Sequence, residues 1–314
     1  AVIAPDLAGY ANYGAEGNPP SGYASAADVS KSTLDGVKAL RNLLGPYLTD
    51  DVIVTGHSQG GHTALSTLAL AESYGVEGTL AGVVVYAPLW LSQRSWGAIF
   101  LLADSYPIAE SPVTSAVTVW YHYTHGELLD GAGHGLEVFR EDKRDGIKEF
   151  VDTSCWASGY PILESLGILL TDLFDPSYTE AIQIPAALGT ECGDSELCNT
   201  WMDRFAEDRP HIEDSAADVP LLFVYGLEDT TLPPDRMSCA VERLHKDAAN
   251  VEYCVNETAG HGDVLDIKAD YVSQWIGSIT LGETEPAPCD LGEAAFFDDQ
   301  GELLVPCATP PPND

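Results

Sequence analysis

Ser58 stands in the segment Gly56-His57-Ser58-Gln59-Gly60-Gly61. The apolar run Val52–Thr55 precedes it and the Ala- and Leu-rich stretch His62–Tyr74 follows. A serine on a tight strand-to-helix turn presents its hydroxyl at the end of a sheet. Gly56 and Gly60 are expected where a side chain would collide with neighbouring backbone. The helix start beneath Ser58 favours negative charge developing there. The chemistry this predicts is nucleophilic attack on a carbonyl carbon. A serine hydroxyl is weak near neutral pH, so it needs a base, and the base needs an acid to orient it.

Two later segments supply those partners. LLFVYGLEDTTLPP, Leu221 to Pro234, is an apolar run followed by two carboxylates. Asp229 is the expected acid and Glu228 the runner-up. The competing role for Asp229 is to cap a turn or helix before Pro233-Pro234. ETAGHGDVL, Glu257 to Leu265, offers His261 as the base, with Gly260 and Gly262 expected to give its loop freedom. Asp263 is the local alternative partner for His261, and a helix cap is the role expected of it. His57 fills the variable position of the turn. His122, His125 and His134 resemble a metal cluster in composition, but their segment reads as a Gly-rich loop without H-x-x-x-H spacing. No metal and no cofactor are expected.

These residues need a scaffold that brings distant segments to one edge. Val2–Ala4, Val52–Thr55, Val83–Tyr86, Leu221–Tyr225 and Val251–Val255 read as strands. Val29–Leu44, His62–Tyr74, Arg236–His245 and Val264–Ile276 read as helices. Strands alternating with helices predict an α/β fold with a mostly parallel sheet covered on both faces. The alternation stops between Trp90 and Val219. There, apolar helical segments are expected near Trp96–Leu102 and Ile162–Phe174, with polar loops between them. The predicted organisation is a first core segment (1–89), an insert (90–220), a second core segment (221–281) and an acidic, Pro-rich tail (282–314).

The Ala4-Pro5-Asp6 turn, Gly56–Gly61, the G-x-x-D-x-x-L-P pattern from Gly226 to Pro233, and Gly260–Asp263 together resemble the α/β-hydrolase superfamily. The resemblance spans roughly residues 1–89 and 221–280. Pro5-Asp6 with Gly9, the LDGVKALRNL segment (Leu34–Leu43) and HTALSTLALAESYG (His62–Gly75) are similar to secretory lipases of the lipase A type. The resemblance implies a secreted or periplasmic carboxylic-ester hydrolase with an acyl-enzyme intermediate. It acts on a small-molecule or lipid ester, with Ser58, Asp229 and His261 in that chain order. The insert takes the place of a cap whose apolar segments line an acyl pocket or form the cap's own core. The resemblance also implies two oxyanion donors. One is the Gln59 backbone N–H, and the other comes from a loop upstream of the Pro5-Asp6 strand. Since the sequence starts at that strand, the N-terminal strands and the second donor are expected to be missing from it. A serine peptidase or aminopeptidase, or an acyltransferase, would use the same triad. A non-catalytic hydrolase-like binding protein would be expected to lack one of its members.

Composition narrows the partners. Lys and Arg total 14 against 49 Asp and Glu, a net charge of −35. Such a chain repels nucleic acid and anionic membranes, and the spread of the acidic residues predicts a solvated surface. No run approaches the ~18 apolar residues of a membrane helix. Seven cysteines without a C-x-x-C pair point to disulfides and an oxidising compartment. Spacing suggests Cys192–Cys198, Cys239–Cys254 and Cys289–Cys307, the last closing a hairpin around Asp299-Gln300-Gly301. Cys155 is left over.

Overall fold

Four apolar runs assemble into one sheet. The computed structural model describes residues 1–7, 20–102, 106–154, 156–289, 291–305 and 307. In chain order its elements are α1 (Ala26–Leu44), β1 (Asp51–His57), α2 (Gln59–Tyr74), β2 (Thr79–Tyr86), α3 (Gln93–Leu101), α4 (Pro112–His125), α5 (Arg144–Thr153), α6 (Tyr160–Leu166), α7 (Pro176–Leu188), α8 (Glu196–Glu207), β3 (Leu221–Gly226), α9 (Pro234–Lys246), β4 (Val251–Asn256), α10 (Asp263–Ile267) and α11 (Ala269–Leu281). The strands are all parallel and lie in the order β1-β2-β3-β4. Parallel neighbours need long crossovers rather than hairpins, and helices supply them here.

The chain divides into two compact units. The first comprises the described parts of Ala1–Pro5, Val29–Trp90 and Arg209–Thr309. Its strands alternate their side chains between two covered faces, so every residue of β3 is buried. On one face Val84, Leu222, Val224 and Cys254 pack against Val264, Val272 and Trp275 of α10 and α11. The Trp275 indole N–H donates to Glu252 at 3.0 Å. On the other face Phe223, Tyr225 and Tyr253 meet Phe296. Val2–Ala4 is not a strand: Val2 is 97% exposed and the segment pairs with nothing in the sheet. The helix expected over Val264–Ile276 divides at Lys268 into α10 and α11.

The tail corrects the expected disulfides. Cys192 pairs with Cys198 as its spacing suggests, but Cys254 pairs with Cys289 and Cys239 with Cys307. The turn at Asp298–Gly301 does form, with Asp298 N–H donating to Glu302 O at 2.8 Å. The cysteines flanking it reach away from each other. Cys254 faces the α11 side of β4, where Cys289 packs. Phe296 and Phe297 lie on the opposite, Tyr253 side, and Phe297 also meets His245 of α9. Between them the Val255 N–H donates to Leu291 O at 2.9 Å. The tail therefore wraps the open edge of β4 and is bolted on both faces, which satisfies a strand edge otherwise left bare. Cys155 lies outside the described residues.

The second unit comprises the described parts of Asp6–Asp28 and Leu91–Asp208. The polar loops expected between two apolar helices instead contain α4 and α5, and α7 and α8 follow. The helix expected over Ile162–Phe174 ends at Leu166, and a separate 3-10 turn spans Leu170–Leu173. His122 and His125 stand on α4, not in a loop. His122 sits among Trp96, Phe100, Phe174, Tyr178 and Trp201, and burial pushes its pKa down to about 3. Asp208 is a buried hub. It accepts hydrogen bonds from the Ala26 N–H at 2.8 Å and the Tyr121 hydroxyl at 2.7 Å, and it pairs with His125 at 2.6 Å. No helix among the described residues is long and apolar enough to cross a membrane.

Candidate active site

The turn between β1 and α2 holds Ser58 at φ 56° and ψ −117°. A positive φ on a residue with a Cβ is strained by about 1–3 kcal/mol and persists only where neighbours impose it. Here the end of β2 does so. The Ser58 N–H donates to Tyr86 O at 2.9 Å, while Ser58 O accepts from Leu89 N–H at 2.8 Å and from His62 N–H at 3.1 Å. A Cβ on Gly56 would overlap the Gly60 carbonyl, and one on Gly61 would lie 2.8 Å from Pro88 Cα. Gly60 has open space around its own Cβ position, so the second glycine the packing requires is Gly61. Gln59 is the first residue of α2, where main-chain N–H groups lack helical acceptors and the helix dipole is positive.

The loop after β3 carries Asp229, which is 2% exposed. Its Oδ1 accepts the N–H groups of Thr231 and Leu232, each at 2.8 Å. The Tyr225 hydroxyl donates to Leu232 O at 2.8 Å and ties down the same loop. Oδ2 is left for one further partner, and His261 Nδ1 lies 2.7 Å from it. Glu228 is exposed; its contribution is a backbone N–H donated to Ala259 O at 3.1 Å. Asp263 accepts from the Gly260 N–H at 2.9 Å and so shapes the histidine loop instead of holding the ring. Gly262 adopts an ordinary φ of −92°.

The carboxylate only accepts, so the His261 ring donates to it from Nδ1. Because β1, β3 and β4 run parallel, the Ser58 turn and the Asp229 and His261 loops emerge at the same sheet edge. His57 links the first to the last. Its Nε2 lies 2.7 Å from the His261 carbonyl oxygen, and the two rings are 4.6 Å apart. Burial lowers the His57 pKa, the hydrogen bond to the His261 carbonyl opposes that shift, and the nearby His261 ring adds to it.

A protein-family model described as the alpha/beta hydrolase family matches residues 1–266. The chain belongs to the alpha/beta hydrolase family. No curated protein sequence matches this chain. Among solved structures, lipase A of Candida antarctica in its closed state is similar over 85% of this chain and 57% of its own, with 15% identity and a TM-score of 0.58. The rice cell wall degrading esterase LipA of Xanthomonas oryzae is similar over 83% and 66%, with 16% identity and a TM-score of 0.56. A Legionella pneumophila protein is similar over 81% and 65%, with 17% identity and a TM-score of 0.60. At these identities the likeness is one of fold. The chain spans between 57% and 66% of the length of these three proteins.

Several groups that shape the candidate site have no local signal in the sequence. Tyr225 and the Thr231 and Leu232 N–H groups surround Asp229 only after the loop has closed. Ala87-Pro88, which reads as a strand terminator, is followed by the Leu89 N–H that clamps Ser58. His57 is legible as the residue before the serine, but its contact with His261 spans 204 positions.

Proposed function

We propose that this chain is a serine hydrolase of carboxylic esters, a lipase or esterase, acting through Ser58, His261 and Asp229. The observation that carries the reading is the 2.7 Å contact between His261 Nδ1 and a fully buried Asp229, on the sheet edge where the strained Ser58 turn emerges. In this scheme His261 Nε2 takes the Ser58 proton as Oγ attacks the ester carbonyl. Asp229 holds the ring and balances the imidazolium. The Gln59 N–H, at the positive end of α2, stabilises the oxyanion. The imidazolium then protonates the leaving alcohol. Water, deprotonated by the same nitrogen, releases the acid from the acyl-serine. Among the described residues Gln59 is the one oxyanion donor the reading assigns.

The names of two structural neighbours, a lipase and an esterase, support the ester class. The disulfides support a site of action outside the cytoplasm. We assign the insert between β2 and β3 the role of a substrate-selecting cap as part of the same proposal. The test is hydrolysis of p-nitrophenyl esters from acetate to palmitate by the chain and by Ser58→Ala. Turnover lost by at least about 10⁴-fold in Ser58→Ala is expected. Undiminished turnover in that variant overturns the triad. The chain-length profile separates a lipase from an esterase.

A further inference from the structure

We infer that His57 is a positioning residue for the base: its Nε2–H anchors the His261 loop to the end of β1 and sets the ring beside Ser58. The inference rests on the triad reading above and adds a fourth side chain to it. His57 is the last residue of β1, so its backbone is held by the sheet and is directly continuous with Ser58. The His261 carbonyl can only accept, so the 2.7 Å contact places a proton on His57 Nε2. The anchor thus joins the backbone of the base to the residue adjoining the nucleophile. Asp229 fixes the other side of His261 through Nδ1. With both held, the imidazole has little freedom to swing away from the serine turn.

The ring contact adds a second constraint. His57 and His261 are tilted by 48° at 4.6 Å, so the His57 ring forms a wall against which the base rests. Burial keeps that wall uncharged near neutral pH, since it lowers the His57 pKa. A cation in this position would oppose the imidazolium that His261 becomes during turnover. A neutral ring that donates from Nε2 meets both needs. Glutamine can still donate from a side-chain N–H, whereas methionine fills similar space without a donor.

The experiment compares His57→Gln, His57→Met and His57→Phe with the parent chain. Two readouts are used: steady-state hydrolysis of p-nitrophenyl butyrate, and the rate of Ser58 labelling by a fluorophosphonate. Loss of the anchor in the Met and Phe variants is expected to lower kcat and the labelling rate about 10- to 100-fold with little change in KM. His57→Gln is expected to stay within about threefold of the parent. Thermal melts separate this from unfolding, and if Phe fails to fold, the Gln and Met pair carries the same comparison. Equal kcat and labelling in the Gln, Met and parent proteins overturns the inference while leaving the triad intact. So does a loss in Gln as large as that in Met. A parent chain that neither turns over ester nor labels at Ser58 removes the triad reading, and the inference with it.

Discussion

A buried carboxylate costs free energy unless its oxygens find donors, so the surroundings of each aspartate indicate what it does. Asp229 has three donors, two of them backbone N–H groups of its own loop and the third the His261 ring. Glu228 beside it faces solvent. Sequence can place both carboxylates after β3, yet the choice between them is made by which one the loop turns inward. Asp208 follows the same rule in the second unit, where it serves structure. Burial alone would raise its pKa, but the His125 ring, the Tyr121 hydroxyl and the Ala26 N–H outweigh burial and hold it below the usual carboxylate value. A carboxyl depressed in the folded state adds stability that is complete above its unfolded value of about 3.9 and fades as pH falls through the folded value. Urea denaturation is therefore expected to show Asp208→Asn less stable than the parent at pH 7, with the gap narrowing below about pH 4. A gap that stays constant to low pH would contradict this role.

Elements were legible where their signal is local. The β1–turn–α2 segment combines an apolar run, a glycine turn and an alanine- and leucine-rich helix within 24 residues, Asp51 to Tyr74. α4 is the opposite case. Its sequence, PVTSAVTVWYHYTH, is rich in β-branched and aromatic residues that favour strands, yet nine of its 14 residues are buried in a helix. Packing outweighs propensity there, and propensity is all that a linear reading can use. The tail shows the same limit for covalent links. Spacing favours neighbours along the chain, whereas the pairing follows from Cys254 and Tyr253 facing opposite sides of β4. Cys254–Cys289 closes a loop of 35 residues. Replacing both cysteines by alanine is expected to cost about 2–4 kcal/mol in chemical denaturation. An unchanged midpoint would show that Phe296, Phe297 and the Leu291 contact hold the strap without the bond.

At the scale of the molecule, a net charge of −35 means that the folded chain repels itself. Raising NaCl from 0.1 to 1 M shortens the screening length from about 10 to about 3 Å. The thermal midpoint is expected to rise over that range, and a flat or falling midpoint would mean that local ion pairs already absorb the repulsion. By itself the sequence determined the charge, the α/β alternation and the strand–turn–helix around Ser58, because each is written in adjacent residues. It also pointed to the two loops that carry Asp229 and His261. Only the tertiary structure decided that Asp229 turns inward to His261, that His57 reaches the His261 carbonyl, that Tyr86 and Leu89 clamp the serine turn, and which cysteines meet. Apart from Cys192–Cys198, each of those is a contact between residues far apart in the chain. Such contacts depend on strand order and on which face a side chain takes, and neither is encoded in any short stretch of residues.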